Sequence, residues 1–346
     1  MRILTKFATF AALMTTTACD KKEEITELGP ELSRFENCSE TQDYMAEVML
    51  EAALSYQYSY YWGWGGTEDV AAEADSGSSS ENTGPSDYST TNVQEEGVDE
   101  IDLVKTDGQY IYVAQDKGIH IVDSWPVEES HKLATIDLEG WARGLFLKGD
   151  QLIVFENIYN NSIDGFNSYS SVRINIIDVS DRSNPVVSRQ IDIDGYLRDG
   201  RMIGEDVYAV VNHWSSLPQE LWELVYNSSI ELPEVDWSLS EDELQLDLEQ
   251  KRAEAANILR GPIQELAKSI DVEEMLPKWR LGAEKELESI HSCENLYRPS
   301  QVSQFNVLSL IHLDLEDGQT NTQGLLSDGW TMYASQDNLY VAQSGQ

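Results

Sequence analysis

Asp107-Gly108-Gln109-Tyr110-Ile111-Tyr112-Val113 joins a tight acidic turn to an apolar run, and the chain returns to that order three more times. The further copies are Gly149-Asp150-Gln151-Leu152-Ile153-Val154-Phe155, Gly204-Glu205-Asp206-Val207-Tyr208-Ala209-Val210 and Gln336-Asp337-Asn338-Leu339-Tyr340-Val341-Ala342. Polar turn residues followed by β-branched and aromatic side chains read as a turn leading into a strand. A second run comes after the first three: Ile119-His120-Ile121-Val122-Asp123, Ile174-Asn175-Ile176-Ile177-Asp178 and Leu310-Ile311-His312-Leu313-Asp314. With Tyr110, Leu152, Val207 and Leu339 as equivalents, the spacings are 42, 55 and 132 residues. The last contains an unlike stretch of 87 residues, about Trp214 to Ser300, without which 45 remain.

A unit of this length with about four strands is the signature of a propeller blade. Such a blade buries its faces only against neighbours, so it must repeat. The expected fold is mainly β, a β-propeller of four-stranded blades with an N-terminal helix and a helical insertion within blade three. Blade one runs from about Ile101 to Gly140 and blade two from Trp141 to Gly195. Blade three starts at Tyr196 and resumes after the insertion, and blade four starts near Gly329. The sequence stops in the strand-like run Asn338 to Ala342, so the propeller is expected to be incomplete in this chain.

The insertion, about 214–300, is of different material. Ser240-Glu241-Asp242-Glu243 forms a capping box, opening a helix with Leu244, Leu248, Ala255, Ile258 and Leu259 on one side. Gly261-Pro262 is expected to break it, with further helix around Ile263 to Ser269 and Val272 to Ile290, Pro277 being a kink or boundary in the latter. The insertion could cap one propeller face or decorate its periphery.

Residues 1–19 read as an export signal: Arg2 and Lys6, then the apolar Phe7 to Met14, then Thr16-Thr17-Ala18-Cys19. The apolar run is too short to span a bilayer. Small residues before Cys19 look like a lipobox, which would make Cys19 the lipid-attachment site. Thr16 stands where Leu is usual, which leaves ordinary cleavage after Ala18 open. Residues 20–64 would be a tether, a helix from Ser39 to Leu54 with a Ser39/Gln42 capping box, and the aromatic segment Tyr56 to Trp64. Residues 65–92 are a Gly/Ser/Asp/Glu linker, and 93–346 the propeller. Export leaves Cys38 and Cys293 in an oxidising compartment, where a disulfide is the economical reading and two separate thiols the alternative.

Against 62 acidic residues the chain has 23 Lys and Arg, a net charge of −39. That balance excludes nucleic acid as a partner, because phosphate backbones are repelled. It disfavours anionic lipid surfaces, so membrane contact is expected only through the N-terminal lipid. The sequence has no G-x-S-x-G, H-E-x-x-H, P-loop or S-x-x-K motif, and no catalytic residue is assigned. The five histidines are scattered. His120 and His312 hold equivalent places in two repeats, His213 sits where blade three gives way to the insertion, and His131 and His291 have no recognisable partners. Glu95, Glu96, Asp99, Glu100 and Asp102 are candidate Ca2+ ligands, hard oxygens at short spacing but without a D-x-D-x-D-G loop. The competing reading is a solvated edge or a capping interaction that starts the first blade.

Thr91-Asn92-Val93-Gln94-Glu95-Glu96-Gly97-Val98-Asp99-Glu100-Ile101-Asp102-Leu103-Val104-Lys105-Thr106-Asp107-Gly108 resembles a motif of secreted prokaryotic proteins with a C-terminal β-propeller distantly related to WD40 repeats. Ile177 to Pro185, Gly195 to Tyr208 and Cys293 to Pro299 resemble further pieces of that family. Arg182 stands where the family often has Pro, a tolerable change in a turn. The resemblance implies fold, export and a longer chain, and brings no activity with it. The expectation is an exported, lipid-anchored or secreted binding or scaffold protein of the bacterial cell envelope, its partner a protein or envelope component. The alternative is a propeller-based hydrolase with residues 214–300 as a lid.

Overall fold

A computed structural model describes residues 32–58, 95, 97–159, 165–166, 168–226, 230–282, 285–299, 304–327, 329, 331–336 and 338–342. Cys19, Glu96, the linker and most of the aromatic segment lie outside the described residues. The chain divides into two compact units, one of residues 1–41, 89–216 and 271–346, the other of residues 42–88 and 217–270.

The larger unit is mainly β. An antiparallel four-stranded sheet contains Val104–Thr106, Tyr110–Gln115, Gly118–Asp123 and His131–Asp137 in sequence order. Trp141–Lys148, Gln151–Tyr159, Ser170–Asp178 and Val186–Asp194 follow one another in a six-stranded sheet, which Lys278–Arg280 and Glu288–Ser289 extend at its far edge. Tyr196–Ile203, Asp206–His213, Val307–Asp314 and Thr320–Leu326 form the centre of a seven-stranded sheet. Asp99–Glu100 borders one side of it, Leu296–Arg298 and Ser33–Arg34 the other. Thr331–Ala334 pairs with Leu339–Ala342.

The cores lie between sheets, as alternating strand side chains require. Tyr112, Ile119 and Ile121 of the first sheet pack with Leu145, Leu152, Val154 and Ile177 of the second. Phe146, Phe155, Ile174 and Ile193 of the second pack with Met202, Val207, Val211 and Ile311 of the third. Each sheet thus buries a face against the next.

The acidic turn residues act as backbone caps. Asp107, Asp178, Asp181, Asp314 and Asp317 each accept a hydrogen bond from the N–H two residues on, at 2.7–3.1 Å. This is how Asp stabilises a turn. Arg182, in the turn where the family often has Pro, clasps two repeats. It donates to Asp150 at 2.5 Å and to the Tyr112 hydroxyl at 3.1 Å, and lies 3.4 Å from Asp107.

The smaller unit is helical. Residues 42–58 belong to the helix Cys38–Tyr58, and with them are Gln219–Tyr226 and Glu241–Ser269. The capping box of Ser240 and Glu243 is formed. Two sequence expectations need correction. Asn37, not Ser39, caps the first helix, accepting from Glu40 N at 3.1 Å. Gln42 turns instead to the carbonyls of Lys268 and Ile270. Glu241–Ser269 also runs unbroken through Gly261-Pro262. Ala255, Leu259, Ile263 and Ala267 are buried at four-residue spacing across that point. Their packing offsets the bond lost at Pro262.

The expected helix from Val272 to Ile290 is likewise corrected. Val272–Met275 is one turn, and Lys278–Arg280 is a strand on Val186–Asp194. Pro277 ends the turn, and the free sheet edge captures the residues after it. No helix of the described residues is long and apolar enough to cross a membrane.

Candidate functional site

Polar side chains gather toward one end of the second and third sheets. Glu156, Arg173, Asp192 and Arg280 face one another in register across four neighbouring strands. The fully buried Asp192 accepts from Arg173 Nε at 2.6 Å and from Arg280 Nη2 at 2.5 Å. Arg173 Nη1 also reaches Glu139 at 2.5 Å. Glu156, buried too, accepts from Gly140 N at 2.6 Å and Asn175 Nδ2 at 2.8 Å. A buried carboxylate met by two guanidinium groups is structural when its lone pairs are filled.

Beyond this row, Ser168 Oγ lies 2.8 Å from His213 Nδ1, and Asp194 Oδ2 lies 3.5 Å from the same nitrogen. Ser168 N also donates to Asp194 Oδ1 at 3.0 Å. The residue types are those of a hydrolytic triad, but the geometry is not. A triad needs Nδ1 on the acid and Nε2 on the nucleophile. Here one nitrogen meets both, and Nε2 is buried without a partner among the described residues. His213 is buried.

Two arginines that were not among the candidate site residues lie over aromatic rings, one of them, Arg198, in the family-like segment Gly195 to Tyr208. Gly140-Trp141-Ala142-Arg143 and Gly195-Tyr196-Leu197-Arg198 recur 55 residues apart, the same spacing as the strand motif. Both segments bulge at the arginine: the register skips it between Ala142 and Gly144 and again between Leu197 and Asp199. A bulge re-aims the side chain it carries. The glycines are required by close approach, since a Cβ on Gly195 would meet Asn212 O at 2.6 Å and Gly140 faces Asn157 in the same way. The guanidinium of Arg143 lies 5.4 Å from the Tyr196 ring centre. That of Arg198 is 5.8 Å from the same ring and 5.7 Å from Trp214. Two cations on one aromatic ring form a cation–π ladder.

Of the candidate Ca2+ ligands, Glu95, Asp99, Glu100 and Asp102 are among the described residues, and each has a separate partner. Asp99 pairs with Lys105 at 2.7 Å, Glu100 with Arg201 at 3.6 Å, and Glu95 accepts from the Tyr333 hydroxyl at 2.9 Å. Asp102 accepts from Leu103 N. Among the described residues, the group of three or more Cys, His and carboxylate atoms close enough to share an ion is Cys38, Glu273 and Cys293, not this one. Cys38 and Cys293 form a disulfide with Cα atoms 5.1 Å apart. His120 meets Thr135 at 3.1 Å, His131 the carbonyl of Glu129, and His312 Asp206 at 2.6 Å.

His291 is buried, 2.9 Å from Ser309 Oγ, and its ring lies against Gly324. Burial pushes its pKa down from 6.5 to about 3. The folded chain keeps it neutral while the unfolded chain protonates it below about 6.5, so its stabilisation is lost as pH falls. Between pH 7 and 5 this linkage removes about 2 kcal/mol. Urea midpoints should fall accordingly, and His291→Gln should flatten that part of the slope. An equal slope in the variant would refute the assignment.

Residues 88–346 match the family described as "Beta propeller domain". An uncharacterized protein of Methanocaldococcus jannaschii is 33% identical over 129 residues, which cover 37% of this chain and 18% of that protein. The chain therefore matches less than a fifth of the length of this relative. No solved structure matches the chain.

Proposed function

The chain belongs to the β-propeller domain family, and from that premise we propose that it is an exported binding module held at the bacterial cell envelope by a lipid on Cys19. The sheets built on residues 104–137, 141–194, 196–213 with 307–326, and 331–342 would be successive blades. Residues 214–300 would then be an insertion in the third, contributing helices and the edge strands Lys278–Arg280 and Glu288–Ser289.

One observation carries the binding reading. Two repeats present arginines on bulges, lying over aromatic rings and without an ion-pair partner among the described residues. A recognition surface needs such fixed, unspent donors, and fold alone does not supply function. The proximity of Ser168, Asp194 and His213 is what favours the alternative, a hydrolase. It would need Nε2 of His213 brought onto Ser168, the reverse of the present arrangement.

Fractionation of cells expressing the whole protein tests the anchor. The native chain should sediment with membranes and Cys19→Ala should be released in soluble exported form. Unchanged membrane association of Cys19→Ala would overturn the lipid attachment.

A further inference from the structure

We propose that Arg143 and Arg198 form a recognition site for a ligand bearing one ionised carboxylate. This deepens the binding reading and rests on it.

Lack of any acceptor among the described residues sets these two arginines apart: Arg34 and Arg189 also meet no carboxylate there, but they donate to Asn295 and to the Gly318 carbonyl and Thr320. In a chain with 62 acidic residues, a guanidinium readily finds a carboxylate: Arg173, Arg182, Arg201 and Arg280 all do. Arg143 and Arg198 do not, among the described residues. The bulges place both over Tyr196 instead, their guanidinium carbons 5.4 and 5.8 Å from its ring centre. Nε of Arg198 is buried without an acceptor among the described residues.

A second observation comes from the strand facing each bulged segment. Asn212 lies in register with Tyr196, 2% exposed, and both its amide oxygen and nitrogen are buried without a partner among the described residues. Asn157 holds the equivalent place opposite Trp141, and its Nδ2 is likewise unpartnered. Buried amides are otherwise paired in proteins, so the same exception in two repeats marks a place where another molecule supplies the bonds. The flanking indoles of Trp141 and Trp214 are 50% and 64% exposed, giving the body of a ligand an apolar surface to cover.

The planar fork fits carboxylate and phosphate alike. The net charge of −39 decides between them, because a doubly charged phosphate is repelled more strongly than a single carboxylate. An aromatic acid and a uronic sugar share this chemistry and differ only in the body that meets the indoles.

Calorimetric titration of the full chain with sodium benzoate, sodium glucuronate and inorganic phosphate tests the site. At least one carboxylate should bind saturably at 1:1, and phosphate at least about tenfold more weakly. Benzoate binding best indicates an aromatic acid, and glucuronate a sugar acid. Arg143→Ala and Arg198→Ala should each weaken binding about 10- to 100-fold, the range for a hydrogen bond to a charged group. Arg143→Lys should recover part of the loss, and the control Lys148→Ala should bind like the native chain. Arg143 is exposed, so its variant should melt like the native chain even if Arg198→Ala does not fold. Absence of saturable carboxylate binding, tighter phosphate binding, or native affinity in folded Arg143→Ala would each overturn the proposal. Failure of the Cys19 experiment leaves this titration standing. Turnover of the ligand would instead defeat the binding reading while keeping the site.

Discussion

Asp192→Asn should cost about 3–5 kcal/mol of folding stability, the loss expected when one partner of a buried ion pair is removed. The native carboxylate is fully buried between Arg173 and Arg280, whose own side chains are 11% and 23% exposed. The amide keeps the volume but leaves Arg280 without its counter-charge and Arg173 with only the half-exposed Glu139. Urea denaturation measures this as a lowered midpoint at constant slope. Asp150→Asn is the matched control. Asp150 also pairs with an arginine at 2.5 Å but is 61% exposed, and such a pair contributes within about 1 kcal/mol. Equal losses in the two variants would show that water reaches Asp192.

The second large effect belongs to the disulfide. Cys38 and Cys293 are 255 residues apart in sequence, so their bond closes most of the described chain into one loop. Loop-closure entropy puts its contribution at about 5 kcal/mol, and removal of native disulfides costs roughly 2–5 kcal/mol. Cys38→Ser combined with Cys293→Ser should reproduce that loss under oxidising conditions. Reductant should lower the native chain to the same midpoint and leave the double variant unmoved. A native midpoint indifferent to reductant would contradict the bond.

Much of the β architecture was legible because its signals are local. An acidic turn before an apolar run predicts a strand, and Asp107 shows one reason for the acid: it caps a backbone N–H, as Asp178 and Asp314 do in the turns after the second runs. Part of the net charge of −39 is therefore turn chemistry. Helix ends were less legible, because tertiary partners outrank local preference. Gln42 fits a capping box with Ser39, yet the carbonyls of Lys268 and Ile270 take its amide. Pro262 should break a helix, yet the buried row from Ala255 to Ala267 carries the helix through.

The candidate site was hidden for another reason. Its arginines are neither a motif nor a cluster in sequence, and only strand register reveals that both are bulged residues. The spacing of 55 between Gly140-Trp141-Ala142-Arg143 and Gly195-Tyr196-Leu197-Arg198 was the available signal. The acidic segment Glu95 to Asp102 drew attention through hard oxygens at short spacing, and the partners of Asp99 and Glu100 were not visible in it. In the fold, Lys105 takes up Asp99, and Arg201, about a hundred residues on in sequence, takes up Glu100.

If the bulged arginines bind and Ser168 does not catalyse, the two residue sets must separate in one assay. Sedimentation of the full-length Cys19→Ala chain with its own insoluble envelope fraction tests this most directly. Co-sedimentation that is lost in Arg143→Ala, retained in Ser168→Ala, and accompanied by no soluble product is the predicted result. Release of soluble fragments from the envelope, abolished by Ser168→Ala and indifferent to Arg143→Ala, would contradict it.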